Sequence, residues 1–298
     1  MTNISKVEFG GWPNCYKIEN EYVDLVVTSD VGPRIVRYGL LGGPNEMCEV
    51  KEEQGLTGSD EWHIYGGHRL WHSPEAKPRC YFPDNVPVEV EIIENGVRLS
   101  QPVETTTGIK KDMEVTLQPD SSSVSIKHYL TNQSMWDIEL AAWALTVMAT
   151  GGTEIVPQCQ VDTDLLANRM LSLWPYTKMN DHRVTWGEKY ILLKQDPECT
   201  EAFKFGISNS DGWAAYANHG NLFVKKFNPI EGALYPDYSG SSYETYTIDF
   251  MLEMETLSPL VILEPDGKLE HEENWQLYPD VPVPNTETDV DKFILKYI

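Results

Sequence analysis

The 298-residue sequence predicts an all-β protein, a large antiparallel sandwich or barrel, and three observations carry that reading. Apolar residues alternate with polar ones at period two along most of the chain. Turn-forming residues fall between the alternating runs at short spacing. Helical periodicity is confined to the C-terminus. No Gly/Ser tract, low-complexity stretch or shift of composition marks a linker, so residues 1–298 are expected to form one domain.

Val88, Val90 and Ile92 alternate with Glu89 and Glu91, and Asn95-Gly96 then predicts a tight turn before Val97 and Leu99. Residues 113–117 lead through Pro119-Asp120 and a serine run to Val124, Ile126, His128 and Leu130, a second hairpin. Further strands are expected over 190–193, 203–207, 213–217 and 222–227, separated by Asp211-Gly212 and His219-Gly220-Asn221. At the C-terminus Val290, Phe293, Ile294, Tyr297 and Ile298 share one helical face after a polar start, which predicts a short terminal helix.

Composition excludes several functions. A formal charge of −23 and the lack of any basic cluster argue against nucleic acid and against an anionic membrane surface. The same charge disfavours strongly anionic ligands, although a local arginine can override a global field. No apolar run reaches the roughly 18 residues of a membrane span; residues 140–149 read as a buried strand. Residues 1–6 carry neither a basic nor an apolar leader segment, so no signal peptide is expected. Five scattered cysteines without a CxxC pair predict neither a disulfide framework nor a zinc knuckle, and point to a reducing, cytoplasmic compartment. No phosphate loop, dinucleotide fingerprint or serine nucleophile elbow occurs, so no cofactor is expected. A metal site from His68, His72 and Glu75 lacks the spacing and the helical context of known zinc motifs, so no metal is expected either.

Two segments carry chemistry. Gly66-Gly67-His68-Arg69-Leu70-Trp71 puts an imidazole, a guanidinium and an indole behind a glycine pair, as expected where backbone lies close to a ligand. Residues 245–255 read as one strand, with Tyr246, Ile248, Phe250, Leu252 and Met254 on one face and Thr245, Thr247, Asp249, Met251, Glu253 and Glu255 on the other. Carboxylates stacked on one buried face need a cation nearby, and Arg69 or His68 is expected to supply it. The plain alternatives are a solvated edge strand for the carboxylates and core packing for Trp71.

The run Leu252-Glu253-Met254-Glu255-Thr256-Leu257-Ser258-Pro259, then Leu263-Glu264-Pro265-Asp266-Gly267, then Asn274-Trp275-Gln276-Leu277-Tyr278, resembles the C-terminal signature of aldose 1-epimerases. Asp30-Val31-Gly32-Pro33-Arg34-Ile35 looks like that family's N-terminal glycine turn and Arg-Ile strand. Gly66-Gly67-His68-Arg69 with Trp71 is similar to the sugar-binding segment of related hexose-phosphate epimerases. In order along nearly the whole chain, these motifs resemble the galactose-mutarotase-like superfamily. The resemblance implies a β-supersandwich of two large antiparallel sheets, a small-molecule sugar or sugar derivative as ligand, and Glu255 as general base. It also implies a histidine acid at the position that this sequence gives to Trp143, which cannot protonate a ring oxygen. His68 is then the substitute acid, with His182 as the other imidazole available. Arg69, Trp71, Glu75, Asp181 and Arg183 are expected to bind substrate. The function expected is a carbohydrate-binding protein, either interconverting anomers without a cofactor or binding and sensing sugar without chemistry.

Overall fold

The structure is a computed structural model that describes residues 1–237 and 240–298. Two large antiparallel sheets pack face to face, and the motif-bearing strands lie at the centre of the first. That sheet has 11 strands among the described residues, and it starts as a meander of Asn3–Phe9, Trp12–Glu19, Val23–Thr28 and Arg34–Leu40. It continues through Gly67–Ser73, Ile138–Met148, Met251–Leu257, Tyr243–Ile248, Phe203–Ile207 and Leu171–Leu173, with Val261–Leu263 paired alongside Ile138–Met148. The second sheet has 10 strands, and its centre runs Trp213–Asn218, Asn221–Phe227, Lys268–Tyr278 and Val124–Asn132.

Alternation fixes what each face holds. One continuous apolar core fills the space between the sheets, taking Leu70, Leu252 and Met254 from the first and Ile126, Phe223 and Trp275 from the second. The predicted hairpins form, with Glu89–Ile93 paired to Gly96–Ser100 and Ile109–Leu117 to Val124–Asn132. Asn95 takes the left-handed conformation the first of these turns needs, at φ 55°. At the C-terminus Thr286 and Asp289 form a reciprocal capping box, and Val290 and Ile294 bury against the outer face of the second sheet. The turn widens to π geometry over Val290–Ile294, so the predicted helix is short and irregular. No helix of the described residues is long and apolar enough to cross a membrane.

One local expectation is corrected. Residues 245–255 are two strands of a hairpin, with Asp249-Phe250 as the two-residue turn and Ile248 opposite Met251. Partners across a ladder share a face. Glu253 and Glu255 therefore lie beside Tyr246 and Glu244, while Thr245 and Thr247 face the other way and Asp249 leaves the row. The glycine pair is also explained differently. A Cβ on Gly66 would meet the Cys48 carbonyl oxygen at 2.1 Å, and one on Gly67 the Ile35 carbonyl oxygen at 2.1 Å. Both glycines admit neighbouring backbone rather than a ligand.

Polar residues also cross the interior, and they assign their own hydrogens. His128 Nδ1 lies 3.0 Å from the His271 carbonyl oxygen, which can only accept, so Nδ1 carries the proton. Burial pushes the His128 pKa down and keeps the ring neutral, which leaves Nε2 as an acceptor. His68 Nε2, 2.7 Å away, must then donate. Burial holds His68 neutral as well, so its Nδ1 accepts from the Thr146 hydroxyl at 2.8 Å. Beside this relay Lys225 donates to Glu273 at 3.0 Å, and Trp275 Nε1 reaches the other oxygen of that carboxylate at 3.0 Å.

Glu154, fully buried between the sheets, accepts from the Tyr243 hydroxyl of the opposite sheet. Burial pushes its carboxyl up from 4.5 to about 8. A group whose folded pKa is raised adds stability that is complete below the unfolded value and lost as pH rises through the folded one. Glu154→Gln, which stays neutral, is expected to remove this loss. In urea unfolding the midpoint of the variant should rise relative to the parent between about pH 5 and about pH 9. Parallel profiles would show that Glu154 does not titrate there.

Candidate functional site

Two cross-strand rows of side chains build the outer face of the first sheet at its centre. One row runs Arg69, Leu145, Glu255, Glu244 and the other Val147, Glu253, Tyr246, Lys204, each read off the strand registers. The cations and carboxylates pair diagonally between the rows. Arg69 Nη2 donates to Glu253 Oε1 at 2.9 Å. Lys204 Nζ lies 2.8 Å from Glu244 Oε2 and 2.8 Å from Glu255 Oε2. Trp143, opposite Trp71 on the neighbouring strand, donates its indole N–H to Glu255 Oε2 at 2.7 Å.

Above these rows opens a cavity of about 430 Å³. Trp62, Trp71, Tyr81, Tyr176, Tyr246 and Phe250 contribute most of its aromatic wall, and Glu75 and Glu253 give it carboxylates. The Arg69 guanidinium packs 4.8 Å from the Trp71 ring centre and 5.4 Å from that of Trp62. Lys204 lies 4.7 Å from each of the Trp143 and Trp174 ring centres. Both cations thus exchange water for π faces and carboxylates. Glu75 accepts from the Tyr81 hydroxyl at the rim.

Electrostatics follow from this packing. Burial opposes the Lys204 charge, but Glu244 and Glu255 more than offset it and hold the ammonium well above its ordinary pKa. Burial pushes both carboxyls upward, Glu244 strongly, against the pull of Lys204. Two carboxylates on one ammonium therefore titrate as a unit. Tyr81, Tyr176 and Tyr246 are raised by burial and keep their phenolic protons.

Of the residues expected to form the site, Arg69, Trp71 and Glu75 line the cavity. Glu255 lies directly beneath it, fully buried and bound to two lining residues. His68 is corrected. It follows the opposite parity to Arg69, faces the interior, and sits 4.8 Å from the Trp275 ring centre. Asp181 and Arg183 are corrected too: Arg183 is spent on Asp181 at 2.9 Å and on the Glu201 carbonyl at 2.8 Å, and neither residue lines the cavity. His182 is exposed and pairs with Asp196 at 3.1 Å. The residues missed are Lys204 and Glu244, and the wall residues Trp62, Tyr81 and Tyr176. The signal for Lys204 was a single lysine in Phe203-Lys204-Phe205-Gly206-Ile207, where alternation sets it opposite two buried phenylalanines.

His72 turns inward toward Glu104 while Glu75 stays at the rim, so the His68, His72 and Glu75 grouping does not assemble. Among the described residues His68, His128 and Glu273 bring ligand-type atoms within 4.8 Å of one another. Their nitrogens stand 2.7 Å apart, a hydrogen-bonding distance. Two ligands on one tetrahedral zinc keep about 3.3 Å from Zn–N bonds of about 2.0–2.1 Å. Lys225 already takes the carboxylate, so the cluster is a hydrogen-bonded relay.

The Lys204 cluster makes a direct prediction. Lys204→Met strands two buried carboxylates and is expected to cost about 3–5 kcal/mol near pH 8. The loss should shrink near about pH 5, where the raised carboxyls take up protons. Urea unfolding at the two pH values checks this, and an equal loss at both would remove Glu244 and Glu255 from the account.

No protein-family model matches the sequence, and no curated protein matches it. Solved structures do. A galactose mutarotase-like protein from Lactobacillus casei ATCC 334 superposes with a TM-score of 0.58 at 10% identity, over 89% of this chain and 100% of that one. A galactose mutarotase-like protein from Clostridium acetobutylicum gives 0.54 at 10% identity, over 93% and 99%. A TPR-domain containing protein from Parabacteroides distasonis ATCC 8503 gives 0.62 at 12% identity over 92% of this chain, which spans only 49% of that protein. With two large antiparallel sheets that superpose on those proteins over most of both chains, this chain has the galactose-mutarotase-like fold.

Proposed function

We propose that the protein binds a carbohydrate in the aromatic-walled cavity of its first sheet. The observation that carries the reading is the Arg69–Glu253 pair held among Trp62, Trp71 and Tyr81 in a space of about 430 Å³. Sugars present apolar C–H faces and polar edges at once. Indole and phenol rings take the faces, while a carboxylate accepts from hydroxyls and a guanidinium donates to them. The names of the structural neighbours point to sugars too. Five unpaired cysteines fit the reducing compartment expected from the sequence.

Exchange of sugar anomers is the second reading, favoured by the position of Glu255. It lies one hydrogen bond from the lining residues Trp143 and Lys204, on the strand whose sequence resembles the epimerase signature. That chemistry also needs an acid at the ring oxygen. Trp143 cannot serve, and His68 faces away. Lys204 and the tyrosines lining the cavity carry protons but are held far toward their protonated forms. Binding without rapid chemistry is therefore the better-supported function.

Calorimetry against a panel of aldoses, amino sugars and their glycosides is expected to find saturable binding. Glu253→Ala and Trp62→Ala should each weaken it about ten-fold, the equivalent of about 1.4 kcal/mol. Two-dimensional exchange NMR should find the anomer exchange rate unchanged by the protein. Acceleration that disappears in Glu255→Gln would replace this reading with the catalytic one, and a panel without any binding would end both.

A further inference from the structure

The geometry points to a positively charged ligand for this cavity: we propose that it takes an amino sugar in preference to a neutral or acidic one. The inference rests on the carbohydrate reading of the same site and concerns only the charge of the sugar.

Both cations near the cavity are already paired with carboxylates. Lys204 is bound to Glu244 and Glu255, each at 2.8 Å. Arg69 gives Nη2 to Glu253 at 2.9 Å. A guanidinium grips a carboxylate through two N–H groups on one edge, and Nη2 belongs to both edges that can do so. The remaining atoms, Nε and Nη1, are buried without a hydrogen-bond partner in the protein and do not share an edge. Nη2 keeps a second N–H, so one edge of Arg69 stays open to a hydroxyl, but a ligand carboxylate placed there would lie in a cavity that already holds Glu253 and Glu75.

Anionic groups are in excess. Glu75 and Glu253 line the cavity with Arg69 and Lys204, and Glu244 and Glu255 share the one Lys204 ammonium beneath it, so four carboxyl groups face two cations. Lys77 stands 5.0 Å from the Tyr81 ring centre but does not line the cavity. Tyr81, Tyr176 and Tyr246 add π faces, which attract cations and repel anions. A chain charge of −23 adds a field of the same sign. An ammonium group meets carboxylates and phenol rings here, while a carboxylate or phosphate meets cations whose charge is already matched by carboxylates.

The test compares D-glucosamine and D-galactosamine with their parent hexoses, their N-acetyl derivatives and D-glucuronate, by calorimetry on the full-length protein at low ionic strength and about pH 6, where the amine is protonated. The amino sugars are expected to bind about ten-fold more tightly than the parent hexoses, the N-acetyl derivatives to lose that gain, and glucuronate to bind most weakly. Glu75→Gln, at an exposed position that leaves the core intact, should reduce the preference. Equal or tighter binding of hexose or glucuronate would overturn the charge inference while leaving the carbohydrate reading in place. Failure of every sugar to bind would overturn both.

Discussion

Five charged side chains taken out of water near one cavity have to neutralise one another, and the rest of the site is arranged around that requirement. Burying an isolated carboxylate or ammonium costs several kcal/mol, so each charge needs a partner at hydrogen-bonding distance. The sheet provides partners through its register. Glu244 and Glu255 are placed opposite each other, a repulsive arrangement that Lys204 resolves from the adjacent row. Arg69 does the same for Glu253. The indoles that cover the cations keep water from loosening either pair, and they double as cavity wall.

The opposite face of the same strands obeys a different rule. There the second sheet lies directly above, and polar groups meet across the interface: His68 pairs with His128, and Thr256 with His271 and Glu273. Every strand at the centre of the molecule thus separates two chemistries. Arg69 and His68 are adjacent in sequence, yet one lines the aromatic-walled cavity and the other belongs to the seam between the sheets.

That adjacency explains what the sequence could and could not convey. Alternation is a local signal, and it predicted the all-β architecture, the hairpin at Asn95 and the strand over residues 203–207. It also separates His68 from Arg69, since neighbours on a strand never share a face. Grouping them by motif overrode the physics. The hairpin at Asp249-Phe250 was hidden because Ile248, Phe250 and Leu252 continue the period-two pattern straight through the turn. Glu255 kept its face, but its cation is Lys204, some fifty residues upstream on a strand whose neighbours only the sheet order reveals. Asp181 and Arg183 look like a free polar cluster in sequence, and geometry shows that they satisfy each other.

The histidine relay has a consequence for the cavity on the other side of the sheet. Its hydrogens point one way, from Thr146 to His68 to His128 to the His271 carbonyl. No nitrogen along it offers a free lone pair, so an incoming proton finds nowhere to settle without reversing a donor. The relay behind the cavity is therefore neutral throughout and holds no proton that it can spare. Acid–base events among Glu253, Glu255 and Lys204 gain no acid from the histidines that stand behind them in space.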